Sequence, residues 1–426
     1  MSIIELPYGK THLTVNVPYA CEKVSILEQP LDHTDVEAVE QALNHPIGAS
    51  INTFRGAKSV VIATSDATRP VPNTVLIPLI AERLATVGIH REQITILIGT
   101  GLHRVSLASE FPQILGKEVA STYRVFSHDA NDPDQLVRIG TTSRGTPVVL
   151  NKRFVEADRT IALGVLDPHQ FAGFAGGAKA VAIGLGGAAL ISANHAMLTD
   201  PCASIGHLDG NPVREDIDEV GKIAQLDFIV NVVLNSQRRI IAAVAGDYLL
   251  AHRAGAALAR KYLQATVDAP ADLVIAASGG HPKDLNLYQA QKALLHACRV
   301  VKPGGTVILV ARCEEGIGSD KFAETMALGT TIDEVLDKFA HMPFFVGGHK
   351  AYLWGMSLKK SRVILVSDGI SASEAALMKV EKADTVERAV QMSCSSLPHD
   401  PKIVYIPKAP STIPVIREAP ADDESN

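Results

Sequence analysis

Residues 160–179 read TIALGVLDPHQFAGFAGGAK. The first six, Thr160–Val165, are almost continuously apolar, the pattern of a strand covered on both faces, as in parallel sheet. A Pro–His pair and a run of small residues ending in lysine follow at once. A buried strand that opens into a polar, glycine-rich crest is what an open α/β sheet requires, because ligands sit beyond the carboxyl ends of its strands.

The same grammar repeats on either side. Ser59–Thr64, Ile94–Gly99, Leu273–Ala277, Thr306–Ala311 and Val363–Ser367 read as buried strands. Thr74–Val87, Leu249–Leu263, Asn286–Arg299 and Ile332–Phe339 read as helices between them. Such alternation predicts an α/β protein with largely parallel sheets and right-handed crossovers. The crests are SDATRP after Thr64, TGLHR after Gly99, SGGHPKD after Ala277 and SDGIS after Val366. A small, proline-containing stretch at Ala265–Ala271 predicts a domain boundary. It gives an N-terminal α/β domain over 1–266 and a C-terminal α/β domain over 267–409. The tail, 410–426, ends in DDESN and reads as frayed.

Bulk properties exclude several classes. The chain has 426 residues, enough for two domains, and 46% are hydrophobic. A net charge of −6 with no basic stripe argues against a nucleic-acid partner. The five cysteines are scattered, with no CxxC pair, which suits a reducing compartment. The N-terminus lacks a signal-peptide pattern, and the longest apolar run, near Ala180–Ile191, is glycine-rich and too short to span a bilayer. A soluble, cytoplasmic protein with no membrane contact is the expectation.

Each motif has a functional and an ordinary reading. Gly184–Ala189 matches G-x-G-x-x-A, and a dinucleotide site there needs Lys179–Ile183 to be a strand, with an acidic residue at a later strand tip. Asp200 and Asp209 lie instead in a Pro/Gly-containing loop region, so a tight packing turn competes with NAD binding. Gly173–Ala180 approaches a P-loop but has Ala178 and Ala180 where Gly and Ser or Thr are needed, which removes the magnesium ligand. What remains is Lys179, presented by a glycine-rich approach with no carboxylate in its own segment. Of 15 histidines, His103 and His169 follow strand crests, and His195 lies on a helix 16 residues after Lys179. Two crest imidazoles can serve as acid and base on opposite faces of one carbon. In Ser65–Pro70, Asp66 or Ser65 can cap the following helix, or the loop with Arg69 can hold a phosphate or carboxylate. Gln289 and Lys292 share a helix face and can bind a small carboxylate or simply face solvent. Trp354, the only tryptophan, walls a pocket or packs a core.

Taken in order, SDATRPVP, GTGLHR, DPHQFAGFAGGAK, the ANH that contains His195, GNP at Gly210–Pro212, and LYQAQK resemble the nickel-pincer lactate racemase family from about Glu5 to Pro407. The spacing of His169, Lys179 and His195, 10 then 16, is the most discriminating element. The resemblance implies two α/β domains with the active site in the cleft between them. It implies a nickel ion held by a pyridinium-3,5-bisthiocarboxylic acid mononucleotide, tethered covalently to Lys179, with His195 as the protein's nickel ligand. Asp66, Ala67, Thr68 and Arg69 would hold the cofactor, and Arg69 would also approach the substrate. His103 and His169 would be the acid–base pair. Gln289 and Lys292 would bind the substrate carboxylate, and Trp354 would wall the pocket.

By that resemblance the chain is a racemase or epimerase of a 2-hydroxy acid, served transiently by cofactor-biosynthesis proteins, and a homodimer is compatible with it. There are departures. Ala178 precedes the lysine where lactate-specific members carry arginine, His281 stands at a tyrosine position, and Arg214 follows GNPV where histidine is common. With the extra basic residues Arg104, Lys283 and Lys350, they leave room for a malate-like or sugar-acid substrate. The competing readings are an NAD-dependent 2-hydroxy-acid dehydrogenase using Gly184–Ala189, and a non-catalytic hydroxy-acid sensor on the same scaffold.

Overall fold

The computed structural model describes residues 1–26 and 31–417. The chain divides into two units, one of Glu28–Lys261 and one of Met1–Leu27 with Tyr262–Asn426.

The central unit is built on a six-stranded sheet. From one edge its strands are Ile240–Gly246, Phe228–Leu234, Arg159–Val165, Val60–Ser65, Ile94–Gly99 and Arg124–Ser127. Every neighbouring pair is parallel except the first. The near-continuous hydrophobicity of the Val60–Ser65 and Ile94–Gly99 strands follows from burial on both faces. The helix Asn73–Thr86 packs Leu76, Ile77, Ile80 and Leu84 against Ile62, Ile96 and Ile98 of one face. Each such side chain contributes roughly 1.5–3 kcal/mol by leaving water.

The other unit carries a second six-stranded sheet, parallel throughout. Its order is Glu381–Ala383, Arg362–Val366, Val301–Val310, Ala271–Ala277, Ile403–Ile406 and Glu22–Lys23. Helices Leu287–Ala297 and Gly348–Lys360 help cover the face that carries Val274, Ala276, Val307 and Leu309. The opposite face, with Leu273, Ile275, Ile308 and Val310, is covered by an N-terminal antiparallel hairpin, Ser2–Tyr8 with Thr11–Val17. Alternation along the hairpin decides this. Ile4, Leu6, Tyr8, Val15 and Val17 are buried while Ile3 is 73% exposed.

Two expectations change here. The first 27 residues, expected in the N-terminal domain, belong with the C-terminal unit, because the hairpin's apolar side completes that unit's core. Part of the expected frayed tail is ordered. Ile413–Ile416 pairs in parallel with Gln264–Val267, which draws the apolar IPVI segment into a short sheet. Residues 418–426 of the expected tail lie outside the described residues. Among the described residues, no helix is long and apolar enough to cross a membrane.

Candidate active site

Three adjacent parallel strands of the central unit end at one sheet edge, in the order Arg159–Val165, Val60–Ser65, Ile94–Gly99. His169 follows the first, Asp66–Arg69 the second and His103 the third, so the sheet alone places these crests side by side.

The Asp66 and His103 crests are bonded. His103 Nδ1 donates to Asp66 Oδ2 at 2.8 Å. Asp66 Oδ1 accepts from the Thr68 amide at 3.1 Å and the Thr68 hydroxyl at 2.5 Å. Burial pushes the Asp66 carboxyl upward, but the bonds from His103 and Thr68 outweigh it and hold the group below the usual carboxylate range. With Nδ1 committed to a carboxylate, His103 presents Nε2 with its lone pair, on a side chain 53% exposed. Asp66 therefore closes a local turn and orients a histidine. It does not cap the next helix, which begins at Asn73 without a side-chain cap. Ala67, Thr68 and Arg69 are exposed on this turn.

His169 sits in a two-residue hairpin, Pro168–His169 against Gly173–Phe174. Its Nδ1 accepts the Ala172 N–H at 3.2 Å, so the neutral ring carries its proton on Nε2. Gly173 has φ +70°, and a Cβ there would lie 2.3 Å from the His207 carbonyl oxygen, so only glycine closes the hairpin. The Phe171 ring stands between two imidazoles, edge-on to His169 at 4.7 Å and to His195 at 5.0 Å between centroids. Asn211 of the GNP block accounts for part of this order. It caps the helix Pro212–Ile223 and donates to the carbonyls of Phe171 and His207.

His195 lies near the end of the helix Ala188–Ala196 and donates Nδ1–H to Asn194 Oδ1 at 3.0 Å. Asn194 is fully buried and donates in turn to the Val213 carbonyl at 3.1 Å and to Asp216 Oδ2 at 2.9 Å. Thr142 donates to the other Asp216 oxygen at 2.6 Å. A relay of this kind fixes the ring, as the outer hydrogen-bond partners of metal-bound histidines do. Asn194, Asp216 and Thr142 were not singled out from the sequence. The adjacency of Asn194 to His195 was the only local sign of them.

Lys179 opens a short helix, Lys179–Ala182, after the turn formed by Gly176 and Gly177, with φ +83° and +59°. A Cβ on Gly176 would lie 2.6 Å from Asn231 Oδ1, and one on Gly177 would lie 2.8 Å from the His252 ring. The backbone can pass only without side chains. Asn231 Oδ1 accepts the Gly177 N–H at 2.7 Å. The Lys179 side chain is half-buried by area, yet its amine is closely surrounded by protein. That enclosure, with the like charges of Arg69 and Arg214, brings its pKa down from 10.5 to about 7. The Lys179 segment also docks the His103 crest, with Gly101 N–H donating to the Gly184 carbonyl at 3.0 Å and Gly99 packed against Gly184.

This packing settles the glycine-rich false leads. Lys179–Ala182 is helical where a dinucleotide fingerprint needs a strand, so Gly184–Ala189 is a packing turn and the NAD reading fails. Arg214 is fully buried and paired with Asp218 at 2.6 Å, so it does not face a substrate. Arg104 is held by Glu110 through both guanidinium nitrogens, and Lys350 is buried against Gln291.

In the other unit, Gln289 and Lys292 lie on one face of the helix Leu287–Ala297, where Lys292 Nζ donates to Gln289 Oε1 at 3.0 Å. Trp354 is fully buried in that unit's core, edge-on to Phe322 at 6.0 Å, with its indole N–H on the Met378 carbonyl at 2.9 Å. It is a packing residue rather than a pocket wall. Among the described residues, no three His, Cys, Asp or Glu side chains gather to hold a metal.

Comparison with known proteins makes the chain an isomerase of the racemase class. Residues 8–206 match the lactate racemase N-terminal domain model and residues 266–414 the C-terminal domain model. The chain is 32% identical to the lactate racemase of Lactiplantibacillus plantarum over 418 residues, covering 96% of this chain and 98% of that protein. It is 32% identical to that of Thermoanaerobacterium thermosaccharolyticum over 427 residues, covering 97% and 99%. The apoprotein structure of the latter superposes with a TM-score of 0.91 at 31% identity, covering 98% of this chain and all of that one. A Thermotoga maritima protein, 18% identical, shares the fold at a TM-score of 0.67 over 92% of this chain and all of that one. The chain belongs to the lactate racemase family.

Proposed function

We propose that this protein interconverts the stereoisomers of a small 2-hydroxy acid, with a nickel-pincer nucleotide attached to Lys179. The observation that carries the reading is the pairing of His103 and His169 in complementary states on crests of one sheet. His103, with Asp66 on Nδ1, offers a lone pair, and His169, with Ala172 N–H on Nδ1, offers a proton. One takes the hydroxyl proton of one stereoisomer, and the other returns a proton to the opposite hand.

The Cα–H of a 2-hydroxy acid is too weakly acidic for either imidazole. When bound, the nickel-pincer nucleotide supplies a recoverable hydride acceptor for that hydrogen. The residues present fit such a group. Lys179 has an amine whose pKa is brought down to about 7, so roughly half of it is neutral near pH 7 and available for attachment. His195 has an Nε2 held in place by Asn194, and imidazole beside sulfur donors suits nickel. The Asp66–Arg69 turn offers the exposed Arg69 guanidinium for the nucleotide's phosphate and for the substrate carboxylate. In the other unit, Gln289 and Lys292 share a helix face and carry donors of the kind a small carboxylate takes. Lactate is the first substrate to try, followed by malate-like and sugar acids.

The test is to co-produce the chain with the cofactor-biosynthesis proteins, then measure intact mass, metal content and turnover on a panel of chiral 2-hydroxy acids. The expected result is a mass adduct on Lys179, nickel equimolar with protein, and racemisation without added NAD. Unchanged turnover in Lys179→Ala, or strict dependence on NAD, would refute the assignment.

A further inference from the structure

The turn that presents Lys179 is gripped from below by one buried cation. Arg214, in the first turn of the helix Pro212–Ile223, has no exposed surface. Its Nη1 points at the carbonyls of Phe174 and Gly176, each 3.4 Å away. Its Nη2 donates to Asp218 at 2.6 Å, and Asp218 lies 3.8 Å from Arg253. His252 donates Nε2–H to the Ala175 carbonyl at 3.0 Å and packs against Gly177. Asn231 holds the Gly177 amide. Every residue from Phe174 to Gly177 is therefore fixed by a buried polar side chain, and Nη1 of Arg214 holds two of the four.

We propose that Arg214, anchored by Asp218, is a positioning residue that sets both the shape of the Lys179 turn and the positive charge beside the Lys179 amine. This rests on reading Lys179 as the attachment lysine. A buried guanidinium is costly unless its donors and charge are used. Here Nη1 serves the backbone and Nη2 the Asp218 carboxylate, and the charge, with that of Arg69, disfavours protonation of the lysine. Residue 178 could not supply the cation instead. Ala178 is fully buried at a point where Gly221 of the same helix is so close that a Cβ on it would lie 2.6 Å from the Ala178 Cβ.

The two contributions separate in Arg214→Lys, which keeps charge but loses the fork, and Arg214→Met, which loses both. The full-length chain without cofactor is acetylated with acetic anhydride over a pH series, and Lys179 labelling is read by peptide mass spectrometry. Amide hydrogen exchange over residues 174–178 is read in parallel. Both variants should exchange faster there. In Arg214→Met, Lys179 labelling at neutral pH should fall about threefold to tenfold, a midpoint raised by up to one unit, while Arg214→Lys keeps the native midpoint.

Native midpoints in all variants, or native exchange, overturn the proposal. Should Arg214→Met fail to fold, Asp218→Asn frees the fork and keeps the charge. Faster exchange without a raised midpoint then supports the proposal, and native exchange overturns it. If Lys179 of the unaltered chain labels no earlier in pH than surface lysines, the attachment reading fails instead.

Discussion

Replacing Lys179 by methionine should stabilise the cofactor-free chain, by an amount that shrinks as pH rises. Methionine keeps the hydrocarbon length and drops the amine. The Lys179 pKa falls from 10.5 to about 7 on folding, and each unit corresponds to about 1.4 kcal/mol. Full enclosure would thus set a ceiling of about 5 kcal/mol. The side chain keeps part of its solvent surface, so screening lowers the expected effect to about 2–3 kcal/mol. The sign follows from proton counts. Between pH 7 and 10.5 the unfolded chain holds a proton that the native chain does not, so native stability rises with pH across that window. Below 7 both states hold it, and the penalty is fully present. Above 10.5 neither does, and the penalty is gone. Urea unfolding of the native and substituted chains near pH 6, 7.5 and 9 measures this, provided the m-values agree. The margin should be largest at the lowest pH. A margin independent of pH, or a native chain more stable throughout, would refute the account of the lysine's surroundings.

Two further substitutions test the remaining assignments. Asn194→Leu removes the donor from buried Asp216 and should cost about 1–3 kcal/mol in urea unfolding. In cofactor-loaded protein it should also speed nickel loss to a chelator about 10- to 100-fold, and native retention would count against the relay to His195. Trp354→Ala should cost about 3–5 kcal/mol of stability, and the milder Trp354→Phe should leave KM for the substrate unchanged. A raised KM in Trp354→Phe would return that ring to the pocket.

The strands that build both sheets were legible because burial on both faces leaves a nearly unbroken apolar run, as in Ile94–Gly99. The crest residues were legible for a related reason, since polar side chains directly after such runs have one sheet edge to occupy. Pairwise orientation was not. That His103 bonds Asp66 across two crests, or that Asn194 backs His195, depends on side-chain direction rather than spacing. The ordinary reading of Asp66 or Ser65 as a helix cap stayed open because a short carboxylate bonds an amide two residues on as readily as a helix end. The tail was misread from its acidic end, although IPVI just before it is apolar enough to pair. Trp354 was given a pocket role by family likeness, whereas its neighbours on the helix Gly348–Lys360 face the core.

The hairpin at Ser2–Val17 packs on strands translated more than 250 residues later. During synthesis those first strands must wait, apolar side chains exposed, while the whole of the intervening unit emerges and has the opportunity to fold. A chaperone that shields emerging apolar segments would act here on the pair of strands that finishes the second sheet, and a chain stopped before residue 262 would leave that hairpin without the sheet it covers.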